Sequence, residues 1–112
     1  MIFVYTRVTE FLKAMGKFMI QFRLVDRLDL EFFALMPEHR ARVDRLIEEG
    51  VISLYALNTE RTHGWVVISA DSLDEALSIV ERFPIYKYMR VEIDQLLIFD
   101  GETMRLPKVS LN

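Results

Sequence analysis

The feature that most constrains the fold is a strict alternation of side chains over residues 17–25. Every second position is apolar, and this set comprises Phe18, Ile20, Phe22 and Leu24. Successive side chains of a β-strand point to opposite faces of a sheet, so the apolar set predicts a face buried against a core. The positions between them hold Met19, Gln21 and Arg23. The segment therefore predicts a sheet with one core face and one face of mixed character.

The next elements are a helix and a second strand. Pro37 suits the first turn of a helix better than its interior, so the pattern predicts a lead-in turn over residues 30–36 and a main helix over 37–49. Gly50 is a suitable residue for the end of this helix, because glycine adopts the left-handed conformation easily. Residues 51–59 are rich in β-branched and aromatic side chains and predict a strand.

The second half of the chain contains another strand, helix and strand. Residues 65–70 predict a third strand, which forms a hairpin with the second. Ser72 and Glu75 have the spacing of a capping box, which indicates the start of a helix that ends near Pro84. Residues 88–99 predict a long final strand, since apolar and polar side chains alternate again over its first part.

The order strand–helix–strand–strand–helix–strand is that of an α+β, ferredoxin-like βαββαβ fold. Right-handed crossovers place both helices on one face of a four-stranded antiparallel sheet. A length of 112 residues fits one domain, which we expect over residues 17–100, followed by a C-terminal tail over 101–112. Residues 1–16 are expected to be an N-terminal appendage. Its helical spacing of apolar residues predicts an amphipathic helix, or it extends a natural start at Met15 or Met19.

The sheet face opposite the helices, here called the open face, has no partner within one chain of this fold. The alternation assigns to it Met19, Gln21, Arg23, Tyr55, Leu57, His63, Trp65, Val67, Tyr88, Arg90 and Glu92. Such a patch of aromatic and charged side chains usually marks a partner or ligand surface. Two copies packed sheet to sheet would enclose a cavity with apolar walls and a few polar groups, as in small-molecule sites. The sequence therefore predicts a homodimer joined through the open faces.

Composition excludes several classes of function. The 14 basic and 17 acidic residues give a net charge of −3, which does not favour a nucleic-acid partner. The chain has no cysteine, which removes disulfides and thiolate chemistry and fits a cytoplasmic location. No apolar run approaches the ~18 residues of a membrane span. The two histidines lack metal-ligand spacing and no glycine-rich loop is present, so we expect no membrane, metal or cofactor.

Three segments resemble known protein families. Residues 83–93, FPIYKYMRVEI, are similar to the segment that enters the last strand of muconolactone isomerases, where a proline and aromatic residues precede Tyr-Met. Residues 36–46, followed by Glu49 and Gly50, are similar to a helix of YCII-related proteins. Residues 64–68 and the Ser-Leu-Asp-Glu-Ala helix after them resemble both families. Both belong to the dimeric α/β-barrel superfamily, so the resemblance implies two ferredoxin-like subunits that close their sheets around a cavity.

The resemblance also implies site residues. His39 occupies the position of the helix-borne histidine that serves YCII-related proteins as an acid–base group. Glu60 could substitute for the aspartate that these proteins have in a longer loop. Ala56 stands where the second strand of muconolactone isomerases has an arginine, so recognition of a carboxylate would need other arginines of this chain.

The residues themselves suggest the remaining candidates. Glu92 is the best carboxylate, and either Glu92 or His39 would carry the proton. Arg23 and Arg90 would bind a carboxylate or an enolate. The apolar wall of the site would comprise Tyr55, Trp65 and Tyr88. Each catalytic candidate has an ordinary structural alternative, since His39 can be a packed core residue and Glu92 can form a cross-strand ion pair.

These features predict a cofactor-free isomerase or lyase that moves a proton on a small organic acid or lactone, in a cavity between the sheets of a homodimer. The alternative is a non-catalytic homodimer of the same fold that binds a small ligand or only closes its sheets. The two hypotheses differ in whether an enclosed pocket contains a proton carrier beside an arginine.

Overall fold

The computed structural model describes residues 16–101, so the predicted helix of the N-terminal appendage and most of the C-terminal tail lie outside the described residues. The described chain contains four strands, two helices and one short 3₁₀ helix. In order these are β1 (Lys17–Leu24), α1 (Leu30–Glu48), β2 (Ile52–Leu57), β3 (His63–Ser69), α2 (Leu73–Glu81), the 3₁₀ helix (Tyr86–Tyr88) and β4 (Met89–Leu96).

The four strands form one antiparallel sheet in the order β2-β3-β1-β4. The alternate apolar residues of β1 are all buried, and they share one core with the inward side chains of both helices. Representative members are Phe18, Ile20, Val43 and Val80. Both helices therefore cover the same sheet face, which confirms the predicted ferredoxin-like fold.

Helix α1 runs without interruption through Pro37, which corrects the predicted lead-in turn over residues 30–36. Asp29 caps the helix, since its carboxylate accepts the backbone N–H of Phe32 at 2.9 Å. Proline leaves the carbonyl of Phe33, four residues earlier, without its helical partner. Phe33 and Pro37 are both exposed, so water can bond that carbonyl, while the buried side chains of α1 hold the helix on the sheet.

Strand β2 contains a register shift between Ile52 and Leu54, where it has one more residue than the facing part of β3. An extra residue reverses the alternation of side chains beyond it. Tyr55 and Leu57 therefore face the helices, and Leu54 and Ala56 take their places on the open face. The predicted positions of Tyr55 and Leu57 on the open face are wrong for this reason.

Tyr88 is also not on the open face, where the sequence predicted it. It ends the 3₁₀ helix instead of starting β4, and only 6% of its surface is exposed. Its ring packs edge-on against Phe32 with the centroids 5.2 Å apart. Its hydroxyl donates to the carboxylate of Asp29 at 2.7 Å. Tyr88 therefore joins the entry of β4 to the start of α1 and belongs to the core.

Helix α2 begins as its sequence predicts. The Ser72 hydroxyl accepts the backbone N–H of Glu75 at 3.1 Å, and the Glu75 carboxylate accepts the backbone N–H of Asp71 at the same distance. The first bond pairs a backbone donor that the first turn of a helix leaves free, and the second binds the helix to Asp71, the residue before its N-cap. Within residues 16–101, neither helix is long and apolar enough to span a membrane.

Gly64 provides a test of the packing between β1 and β3. Phe22 is its cross-strand partner, and a Cβ at position 64 would overlap the Phe22 ring and lie 2.8 Å from the carbonyl oxygen of Ala56. We expect Gly64→Ala to lower the free energy of unfolding in urea by about 1–3 kcal/mol, because the ring must leave its place. Gly101→Ala, which has open space around it, should change stability little. Equal stability of Gly64→Ala and the wild type would contradict this packing.

Candidate functional site

A cleft of about 810 Å³ lies between the sheet and the first half of α1. We call it the helix-side cleft. Its walls are mainly apolar and include Leu28, Phe33, Met36 and Tyr55. Charged residues also line it, among them Arg23, Asp26 and Glu60. A concave site of this volume, with apolar walls and a few polar groups, has the ordinary properties of a small-molecule pocket.

Behind one wall of this cleft, Tyr55 is hydrogen-bonded to a buried histidine. The Tyr55 hydroxyl and Nε2 of His39 are 2.9 Å apart. His39 lies on the inner side of α1, is completely buried, and packs edge-on against Phe83 with the ring centroids 5.5 Å apart. Its other ring nitrogen, Nδ1, has no hydrogen-bond partner among residues 16–101. His39 does not line the cleft itself, so it can reach a bound molecule only through Tyr55.

Burial makes both members of this pair neutral at pH 7. Loss of solvation, together with the positive charge of Arg40, lowers the pKa of His39 from 6.5 to about 4. Loss of solvation also raises the pKa of Tyr55 above its ordinary value of 10.0. The hydrogen bond therefore joins a neutral imidazole to a protonated phenol, and either group can be the donor, depending on the tautomer of His39.

The open face carries a row of basic side chains near the end of β1, here called the arginine row. Arg23 lies between His63 of β3 and Arg90 of β4 in the strand register. Two like charges on directly opposite residues destabilise a sheet, and neither arginine forms an ion pair within residues 16–101. The next row, about 7 Å along the strands, contains Trp65 and Glu92. These residues border a shallow depression of about 440 Å³.

The predicted site residues therefore do not form one cluster. Two of them share the helix side, His39 and Tyr55. Three share the open face, Trp65, Arg90 and Glu92. Tyr88 is in the core, and Arg23 lines both the cleft and the depression. The pairing of Tyr55 with His39 was not predicted, because the apolar pattern of β2 gives no sign of its register shift.

Among residues 16–101, no three His, Asp or Glu side chains come together in a way that could hold a metal ion. The polar groups that line the cleft include a tyrosine hydroxyl, two arginines and carboxylates, which can form hydrogen bonds and exchange protons with a bound molecule.

The fold is similar to that of a solved enzyme. The crystal structure of muconolactone isomerase matches this chain with a TM-score of 0.62 and 17% sequence identity, over 80% of this chain and 96% of that chain. The chain therefore has a muconolactone isomerase-like fold, and a likeness at this identity says nothing further about its activity. No family model and no curated protein matches the chain. The resemblance to YCII-related proteins stays a prediction.

The low pKa of His39 predicts a loss of stability in weak acid. The unfolded chain binds a proton at this side chain near pH 6.5, whereas the folded chain does so only near pH 4. The stability that the folded chain gains from a neutral His39 is therefore complete above pH 6.5 and falls as the pH drops toward 4. The total loss amounts to about 2–4 kcal/mol. Urea unfolding between pH 7 and 4 should show a smaller loss of stability for His39→Gln than for the wild type. Parallel losses would contradict the buried neutral imidazole.

Proposed function

We propose that the chain is a cofactor-free isomerase or lyase that moves a proton on a small organic acid or lactone, and that it does so in the helix-side cleft. The observation that carries the proposal is Tyr55, which lines the cleft and whose hydroxyl is bonded to His39 at 2.9 Å. This location differs from the cavity between two sheets that the sequence suggests, because Tyr55 and His39 lie on the other side of the sheet.

Tyr55 is the proposed donor to the carbonyl or enolate oxygen of the substrate. When Nε2–H of His39 donates to the phenol oxygen, the Tyr55 hydroxyl hydrogen is free to donate to a bound molecule. Hydrogen bonds in such a chain strengthen one another, and the apolar walls strengthen them further by excluding water. With a pKa of about 4, His39 is a weak base at neutral pH, so we assign it as a positioning residue and not as the proton carrier.

Arg23 and Glu60 are proposed to complete the reaction. Both line the cleft, and Glu60 forms no hydrogen bond or ion pair within residues 16–101. The Arg23 guanidinium would bind the substrate carboxylate. The Glu60 carboxylate would take a proton from a carbon beside the carbonyl group, leaving an enolate held by Tyr55, and return it to another carbon of the same molecule. Atoms and charge balance without any other reactant.

We also propose that two copies associate through their open faces. Trp65 and Leu54 lie on this face with 37% and 38% of their surfaces exposed, although both are large apolar residues. The arginine row and Glu92 carry opposite charges on one surface, so a second copy can place its carboxylates against these arginines. A standard interface of this kind buries on the order of 1,600 Å². Arg90 and Glu92 then contribute to association.

A non-catalytic homodimer that binds a small ligand remains the second candidate. The observation that favours it is the arrangement of Arg23 and Arg90, two opposed cations beside a depression that a second copy would enclose. Such a pair can bind an anion without any proton transfer. Under this alternative Glu92, the sequence-predicted proton carrier of the open face, lies at the ligand site, and Tyr55 has only a structural role.

The two functions are distinguished by deuterium exchange from D₂O into a panel of lactones and unsaturated acids, followed by proton NMR. We expect exchange with the wild type and a loss of about 10²–10³-fold in rate for Tyr55→Phe, which removes the hydroxyl and keeps the ring. Tyr86→Phe is the matched control, because Tyr86 does not line the cleft, and it should exchange at the wild-type rate.

Three outcomes would count against the proposed site. An unchanged rate of exchange in Tyr55→Phe would exclude the helix-side cleft as the site of proton transfer. Exchange lost in Glu92→Gln but kept in Tyr55→Phe would move the chemistry to the open face. Binding of a panel acid with no exchange at all would favour the non-catalytic alternative.

Trp65→Arg tests the proposed dimer. A buried charge in the centre of an interface, with a second copy of itself opposite, should convert the dimer to a monomer in sedimentation velocity. Leu73→Arg is the control, because Leu73 is a half-exposed apolar residue of α2 and not part of the open face. A folded Trp65→Arg protein that still sediments as a dimer would contradict association through this face.

A further inference from the structure

Three polar side chains from three strands meet at the end of the sheet farthest from the arginine row. The Nζ atom of Lys17 donates to Oγ of Ser53 at 2.7 Å and to Oγ of Ser69 at 2.6 Å. All three residues are half-buried. Lys17 lies six residues from Arg23 on β1, a separation of about 20 Å along an extended strand. We call these residues the Lys17 cluster, and it is separate from both concavities described above.

The fold brings these side chains together in a specific way. Ser69 is the cross-strand partner of Lys17. Ser53 is the extra residue at the register shift between Ile52 and Leu54. Bulges of this kind redirect a side chain, and here the bulge brings the Ser53 hydroxyl to the same ammonium group as Ser69.

The cluster has more hydrogen-bond donors than acceptors. An ammonium group has three N–H donors, and Lys17 uses two of them on the serines. Each serine oxygen accepts from Lys17, so each hydroxyl hydrogen remains free to donate. Within residues 16–101, these three remaining donors have no acceptor and Lys17 forms no ion pair. Asp94, one row away across the sheet, is not paired with Lys17.

We propose that the Lys17 cluster is a binding site for the phosphate group of a small molecule. Three free donors around one positive charge match the three oxygens on one side of a tetrahedral anion better than the two oxygens of a planar carboxylate. The same geometry argues against a serine nucleophile, since an ammonium that donates to both hydroxyls cannot remove a proton from either.

The electrostatics of the cluster agree with an anion. Burial lowers the pKa of Lys17 from its ordinary value of 10.5, because the charged form loses solvation. A bound phosphate would supply the missing negative charge and raise that pKa again. The ring of Phe99, whose centroid lies 5.8 Å from Nζ, is a cation–π neighbour of the ammonium and does not accept a conventional hydrogen bond from its third N–H.

Isothermal titration of the full chain with inorganic phosphate tests this site. We expect saturable binding to the wild type that is at least ~10-fold weaker in Lys17→Met and in the double variant Ser53→Ala/Ser69→Ala. The double variant keeps the lysine charge, so it separates a built site from simple attraction to a cation. Lys87→Met is the matched control, because Lys87 is an exposed lysine paired with Glu31, and it should bind phosphate as the wild type does.

Several results of these titrations would overturn the proposed phosphate site. Absence of saturable binding to the wild type would overturn it, as would equal binding by the wild type and the double serine variant. A parallel titration with acetate distinguishes the chemistry of the anion. Acetate binding as tight as that of phosphate would overturn the assignment of a tetrahedral anion. If Lys17→Met is unfolded by circular dichroism, the double serine variant alone decides the result.

Discussion

The chemistry on both sides of this sheet depends on one extra residue in β2. The register shift between Ile52 and Leu54 reverses the alternation after it, so Tyr55 faces α1 and can bond His39. The same shift turns Ser53 toward Lys17. A strand without the shift would place Tyr55 on the open face and leave the buried Nε2 of His39 without this partner, at a cost of about 1–3 kcal/mol for an unsatisfied polar group.

Much of the fold could be predicted from the sequence because local patterns agree with one another. The alternation of β1, the capping box at Ser72 and the order of elements all lead to the observed sheet and helices. Pro37 was misleading, because a propensity rule for the helix interior is weaker than the burial of the apolar face of α1 and the capping of its start by Asp29.

The candidate site could be predicted only in part. Strand β2 has large apolar residues at both even and odd positions, so its sequence does not define which face is buried. Tyr88 was assigned to β4 by its alternation, but it precedes the strand and bonds Asp29. His39 was correctly identified as an inward residue of its helix. Its partner and its low pKa depend on contacts between distant segments, which no local pattern contains.

Arg23 links the two sides of the molecule. It is the middle residue of the arginine row on the open face and also lines the helix-side cleft, because it stands near the end of β1 where the two concavities approach each other. One guanidinium group can pair with only one carboxylate in a bidentate manner. If Arg23 binds a substrate carboxylate in the cleft, the arginine row of the open face retains His63 and Arg90 to contact a second copy of the chain. If Arg23 pairs across the open face, the cleft has Arg61 as its other guanidinium among the described residues. The proposed association and the proposed substrate binding would therefore compete for this side chain, and each would weaken the other by the same factor.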